Sequence, residues 1–155
     1  MATVEQSIEV GVPISTAYNQ WTQFEEFPRF MDGIEQVRQL DDKRLHWVAD
    51  AGGQRHEWEA EIVEQKPDER IAWTARDRKG PNGVVTFHRV SPDTTKVMVQ
   101  LDWEPEGMLE QLGSALGSDE RRVKGDLERF KELIESRGAE SGAWRGEIEH
   151  GRVER

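Results

Sequence analysis

The residues able to do acid–base, nucleophilic or metal chemistry are scattered along this chain rather than grouped. His46, His56, His88 and His150 include no i, i+4 pair that would set two ligands on one helix face. A metal site would need them to converge from separate strands together with carboxylates, and none is expected. His46 and His56 flank the Gly52-Gly53 turn, next to acidic outer faces, and read as exposed surface histidines. Ser114 and Ser118 have no His partner at a spacing that suggests a nucleophilic triad. The absence of Cys excludes disulfides, thiolate metal sites and thiol nucleophiles. Glu57, Glu59 and Glu61 alternate with apolar residues, which marks a solvated sheet face rather than a pair of working carboxylates. Gly52-Gly53 and Gly80-Pro81-Asn82-Gly83 read as turns, not as a phosphate-binding loop. What remains is Arg76 and His88, polar anchors or proton-moving groups if their strands turn them inward.

The stronger signal is apolar. Hydrophobic residues make up 35% of the chain and charged residues 34%, so the core has to be economical, yet it includes six Trp and five Phe. Each buried ring removes roughly 150–250 Å² from water. Trp47, Trp58, Trp73 and Trp103 fall on strand-like segments. Two readings compete for them: an aromatic wall around a ligand, with indole N–H groups as donors, or plain core filling. Phe27, Phe30 and Met31 divide in the same way, between a gate at a pocket mouth and a hydrophobic plug. Gly113 and Gly117, on a helical stripe with Leu109 and Leu116, either leave room for a ligand or allow close packing.

The elements that must position these residues follow from periodicity. Val4, Ile8 and Val10 alternate with polar neighbours over residues 3–10, the mark of a half-buried strand. Pro13 starts a short helix through Trp21, and Phe24, Phe27, Phe30 and Met31 suggest a second one, bent at Pro28. Strands are expected over 34–40, 44–49, 55–65, 70–76, 84–90 and 97–103, separated by Asp41-Asp42, Gly52-Gly53, Pro67-Asp68, the Gly80 loop and Ser91-Pro92-Asp93. Such short connections imply hairpins in an antiparallel meander. From Glu106 to Arg137, Leu109, Leu112, Leu116, Val123, Leu127, Phe130 and Ile134 hold one helical stripe. One long helix with a bend near Gly117-Ser118-Asp119 is expected to cover the apolar face of the sheet. Residues 139–155 are rich in Gly, Glu and Arg, with Trp144 and Ile148 as the only large apolar residues, and read as a flexible tail.

Composition also narrows partners and place. At 155 residues the chain fits one domain. A formal net charge of −10 argues against a nucleic-acid partner and against charge-driven docking on an anionic membrane. No run approaches the roughly 20 apolar residues that span a bilayer. The first residues form neither a basic leader nor an apolar stretch, so a cytoplasmic protein is expected. Oligomeric state is not legible.

One strand, two small helices, six further strands and a long C-terminal helix is the element order of the helix-grip fold. With the segment Trp21-Thr22-Gln23-Phe24-Glu25-Glu26-Phe27-Pro28-Arg29-Phe30-Met31 in place, the sequence resembles the START-like (SRPBCC) superfamily. It is most similar to the bacterial polyketide cyclase/dehydrase and coenzyme-Q-binding branch. Trp58, Ala60, Trp73, Thr95, Val97 and the run Trp103-Glu104-Pro105-Glu106-Gly107 support that likeness, which covers residues 2–137. The resemblance implies an α+β domain over 1–137, a seven-stranded curved antiparallel sheet around the helix, with 138–155 outside it. It also implies a cavity between sheet and helix for a small hydrophobic molecule such as a lipid, quinone or aromatic polyketide. Trp47, Trp58, Trp73, Phe87, Trp103, Leu109, Leu112 and Leu116 would line that cavity. No cofactor and no shared catalytic set follow from it. A carrier or sensor leads, a cyclase or aromatase/dehydrase is the alternative, and an interaction protein with a filled interior is a third.

Overall fold

The structure is a computed structural model that describes residues 2–51, 53–76, 81–103 and 120–154. Strand β1 (Ala2–Val10) leads through Pro13 into helix α1 (Ile14–Trp21) and a 3-10 helix (Phe24–Arg29). Six strands follow: β2 (Ile34–Gln39), β3 (Arg44–Ala51), β4 (Gln54–Lys66), β5 (Arg70–Ala75), β6 (Asn82–Ser91) and β7 (Thr94–Trp103). They form an open antiparallel sheet in the order β1-β7-β6-β5-β4-β3-β2. Helix α2 (Glu120–Arg137) then packs on the sheet. The part of the expected long helix before Glu120, with its bend, lies outside the described residues.

Alternation decides which residues face inward. Val4 is opposite Leu101, Ile8 opposite Val97, Trp47 opposite Trp58 and Trp73 opposite Gly83. All of these lie on the inner face, while Glu57, Glu59 and Glu61 take the outer one, as expected. A bulge between Ile62 and Glu64 shifts the register of β4. One extra residue reverses the sense of the remaining strand. Gln65 rather than Glu64 therefore joins the inner face, opposite Ile71, and is fully buried.

Helix α2 buries Val123, Leu127, Phe130 and Ile134, the stripe that the spacing predicts. It also guards an edge. Lys124 Nζ donates to the Ser7 carbonyl (2.6 Å) and Lys131 Nζ to the Glu9 carbonyl (2.9 Å), so edge-strand carbonyls of β1 find partners. Glu135 accepts from the Gly11 N–H at 2.7 Å.

The segment after Gly138 departs from the expected tail. Gln20 Oε1 accepts from the Ser141 N–H (2.9 Å) and Arg137 (3.1 Å), and Thr22 Oγ1 accepts from the Trp144 N–H (3.1 Å). Arg145 donates to Asn19 Oδ1 at 2.7 Å and pairs with Asp68 at 2.9 Å. The chain then forms a hairpin, β8 (Glu147–Glu149) and β9 (Arg152–Glu154), with Ile148 beside Gln65 of β4. The described residues thus form nine strands where seven are expected. The physical reason is pairing: the polar residues Asn19 and Gln20 of α1 and Thr22, which caps it, are buried and need partners, which this segment supplies.

Candidate ligand-binding surface

The inner face of β3, β4 and β5 is built from stacked indoles. Trp47 and Trp58 lie with ring centroids 5.9 Å apart and planes 8° apart, a direct cross-strand pair. Trp73 lies 6.1 Å from Trp47 at 28°. All three are buried. The wall continues without a break into the 3-10 helix, because Phe27 sits 5.7 Å from Trp47. Trp21, Phe30 and Phe130 complete that end, each neighbouring pair 5.2–5.3 Å apart. Phe87 is also buried on the inner face, edge-on to Tyr18 at 5.4 Å.

Among the expected lining residues, the structure therefore brings Trp47, Trp58 and Trp73 into one surface and places Phe87 on the same face. Trp103 ends β7 opposite Ala2. Its side chain, like Leu109, Leu112 and Leu116, lies outside what the structure describes. Of the gate residues, Phe27 and Phe30 are buried within the aromatic cluster and occupy the position of a plug, while Met31 is half-buried against it.

The two expected polar anchors point the other way. Arg76, just beyond inward-facing Ala75, pairs with Glu59 at 3.4 Å on the outer surface and is half exposed. His88 alternates with inward Phe87, is exposed and contacts Thr86 Oγ1 at 3.2 Å. Neither faces the aromatic wall. His56, read from sequence as a surface residue, is the opposite correction. It shares the parity of Trp58 and Ala60, sits opposite Ala49 and is buried on the inner face. Parity within the Arg55–Gln65 strand is the signal that would have found it. His46 does lie at the outer face, 2.9 Å from Glu57, whose carboxyl that hydrogen bond holds below its ordinary range.

The loop holding Met31 is fastened to α2. Asp32 N–H donates to Asp126 Oδ1 (3.1 Å), Arg122 pairs with Asp32 (2.6 Å), and Arg129 Nε donates to the Phe30 carbonyl (3.0 Å) while also pairing with Asp126. Burial pushes the Asp126 carboxyl up to about 6, against the opposing pull of that N–H and of Arg129. Among the described residues, no group of three His, Asp or Glu comes together as a metal site, and no helix is long and apolar enough to cross a membrane.

An open antiparallel sheet with its inner face turned toward a C-terminal helix defines the START-like class, and comparison with known proteins agrees. Residues 10–132 match the family model described as polyketide cyclase / dehydrase and lipid transport, and the chain belongs to that family. It is 55% identical over 149 residues to an uncharacterised 17.2 kDa protein of the melC2-rnhH intergenic region of Streptomyces lincolnensis, covering 96% of this chain and 99% of that protein. In fold it is similar to a START superfamily protein from Mycobacterium smegmatis (TM-score 0.69, 18% identity, 85% of this chain and 98% of that one). It is likewise similar to the Zhui aromatase/cyclase of a Streptomyces species (TM-score 0.69, 16% identity, 92% and 99%).

Proposed function

We propose that the protein binds a small hydrophobic molecule against the tryptophan wall, between the sheet and the C-terminal helix, and acts as a carrier or sensor. The observation that supports this most is the Trp47–Trp58–Trp73 surface, a broad stacked aromatic platform on the face turned toward the helix. Among the described residues, the inner-facing positions of Leu45–Ala49, Trp58–Ile62, Ile71–Ala75 and Gly83–Phe87 include no Asp, Glu, Lys or Arg side chain. A surface of that kind favours burial of apolar area. Covering about 300 Å² of ligand at ~25 cal/mol per Å² supplies about 7 kcal/mol before the costs of association.

Cyclase/dehydrase chemistry is the competing reading, which the family description supports. It needs a group that moves a proton in contact with the substrate, and among the described residues the buried His56 imidazole and the Tyr18 hydroxyl beside Phe87 are the candidates on this face. The two readings, and the filled-interior reading, separate in one experiment. Native mass spectrometry of the protein purified from its own host, followed by solvent extraction, is expected to reveal a co-purifying apolar molecule. Titration with a panel of quinones, isoprenoids and aromatic polyketides is expected to quench indole fluorescence without changing the added compound. Apo protein that shows no fluorescence response to the panel would overturn the proposal, and conversion of an added polyketide would favour the enzyme.

A further inference from the structure

We infer that the outer face of β6 and β7 docks a second copy of this chain, face to face about a two-fold axis that sets Lys96 of one copy against Asp102 of the other. This surface lies on the side of the sheet away from the tryptophan wall, and the inference is independent of what that wall binds.

The outer face divides by composition. Over β3 and β4 it is charged and internally paired: Glu57 with His46, Glu59 with Arg76 and Glu61 with Lys43. Over the neighbouring strands two cross-strand rows carry no charge, Ser7-Met98-Thr86 on β1, β7 and β6, and Gln100-Val84-Ala72 on β7, β6 and β5. Ala72 is buried and the other five are half-buried. Such a neutral block stands out in a chain whose residues are 34% charged. Glu5, opposite Gln100, and Arg70, opposite Thr86 and paired with Glu64, bound it. Met98 at its centre is an adaptable apolar side chain of the kind that docking surfaces use.

The charges at the two ends of this block point to its occupant. Lys96 and Asp102 share the outer face of β7 with Met98 and Gln100, one at each end and roughly 20 Å apart along the strand. Neither side chain makes a hydrogen bond or ion pair among the described residues, although Glu9 is the direct partner of Lys96 across β1. A two-fold axis lying between two stacked sheets and crossing β7 midway between Met98 and Gln100 reverses the strand. Lys96 then meets Asp102 of the second copy, and Met98 meets its Gln100. The charge pattern of β7 is therefore complementary to itself. Stacked sheets lie about 10 Å apart, a gap that a lysine and a carboxylate side chain span together. Four strands at about 4.8 Å spacing and roughly 20 Å of length give about 400 Å² from each copy, ~800 Å² in all. A stable complex buries about 1,200–2,000 Å², so this dimer is weak and forms as concentration rises. The net charge of −10 works in the same direction.

Sedimentation equilibrium of the full chain from about 10 µM to about 1 mM tests this. The mass is expected to rise from the monomer value of 17.9 kDa toward twice that figure. Lys96→Asp and Asp102→Lys are each expected to weaken association about tenfold, because each sets like charges together twice in a two-fold interface. The double swap, Lys96→Asp with Asp102→Lys, is expected to restore it. Net charge alone gives a different result, since Asp102→Lys makes the chain less acidic and would favour association. Asp50→Lys, the same change on the charged half of the outer face, is expected to leave association at least as strong. Thermal unfolding establishes that the variants fold. Should one fail, the Met98 methyl resonance of wild type decides, expected to shift with protein concentration. A chain that stays monomeric throughout, a Met98 resonance that ignores concentration, single swaps without effect, or a double swap that does not recover would each overturn the inference.

Discussion

Trp73 occupies the space that a side chain at Gly83 would need: a Cβ built on Gly83 stands 2.2 Å from Trp73 Cζ2. The two residues are direct partners across β5 and β6, so the indole covers the neighbouring strand where that strand has no side chain. A glycine inside a strand weakens it, and an aromatic ring laid over the gap restores the lost packing. This glycine is therefore part of how Trp73 reaches its place beside Trp47.

Gly83→Ala follows directly. Strand propensity alone favours alanine, but the Trp73 ring has no room to remain, and overpacking of this sort costs about 1–3 kcal/mol. The expected outcome is a lower Tm together with a weakened near-ultraviolet circular dichroism signal from the disturbed indole cluster. A variant as stable as wild type with an unaltered aromatic spectrum would show that Trp73 does not depend on Gly83.

Much of this fold was legible in the residues. Val123, Leu127, Phe130 and Ile134 recur at helical spacing, and Trp58, Ala60 and Ile62 alternate, because burial on one face leaves a period that reads directly. The bulge after Ile62 is invisible to that logic, since it is a backbone event with no composition signal. The polar anchors failed for a related reason. Arg76 and His88 have the chemistry of polar anchors, but their parity beside inward Ala75 and Phe87 already places them outside. His56 was the mirror case. The C-terminal hairpin did leave a trace: His150 and Gly151 both adopt positive φ (52° and 76°), the two-residue turn that joins Glu149 to Arg152. His in place of the usual Asn or Asp hid it.

The docked hairpin makes a stability prediction at Ile148. That side chain is fully buried beside Gln65. Ile148→Ala is expected to cost about 3 kcal/mol, the range for emptying a buried aliphatic site, read as a lower denaturation midpoint at unchanged slope. For a detached tail the same change would stay within about 0.5 kcal/mol, and that result would remove the C-terminal segment from the folded domain.

Tyr18 gives a pH prediction of similar sharpness, because it is the only tyrosine in the chain. It is fully buried between Phe87 and the Arg145 guanidinium, which lies 5.5 Å from its ring. Burial pushes the phenol from 10.0 up to about 12, against the opposing pull of Gln65 and Arg145. The native fold thus holds this proton more tightly than the unfolded chain does. The stability it contributes is fully present below pH 10 and is lost as pH rises through 12, a total of about 3 kcal/mol. Phenolate absorbance is accordingly expected to stay absent at pH 10 and to appear toward pH 12, or together with unfolding seen by far-ultraviolet circular dichroism. A half-formed phenolate near pH 10 in protein that is still folded would mean that Tyr18 reaches water. In that case the Arg145 segment does not seal α1.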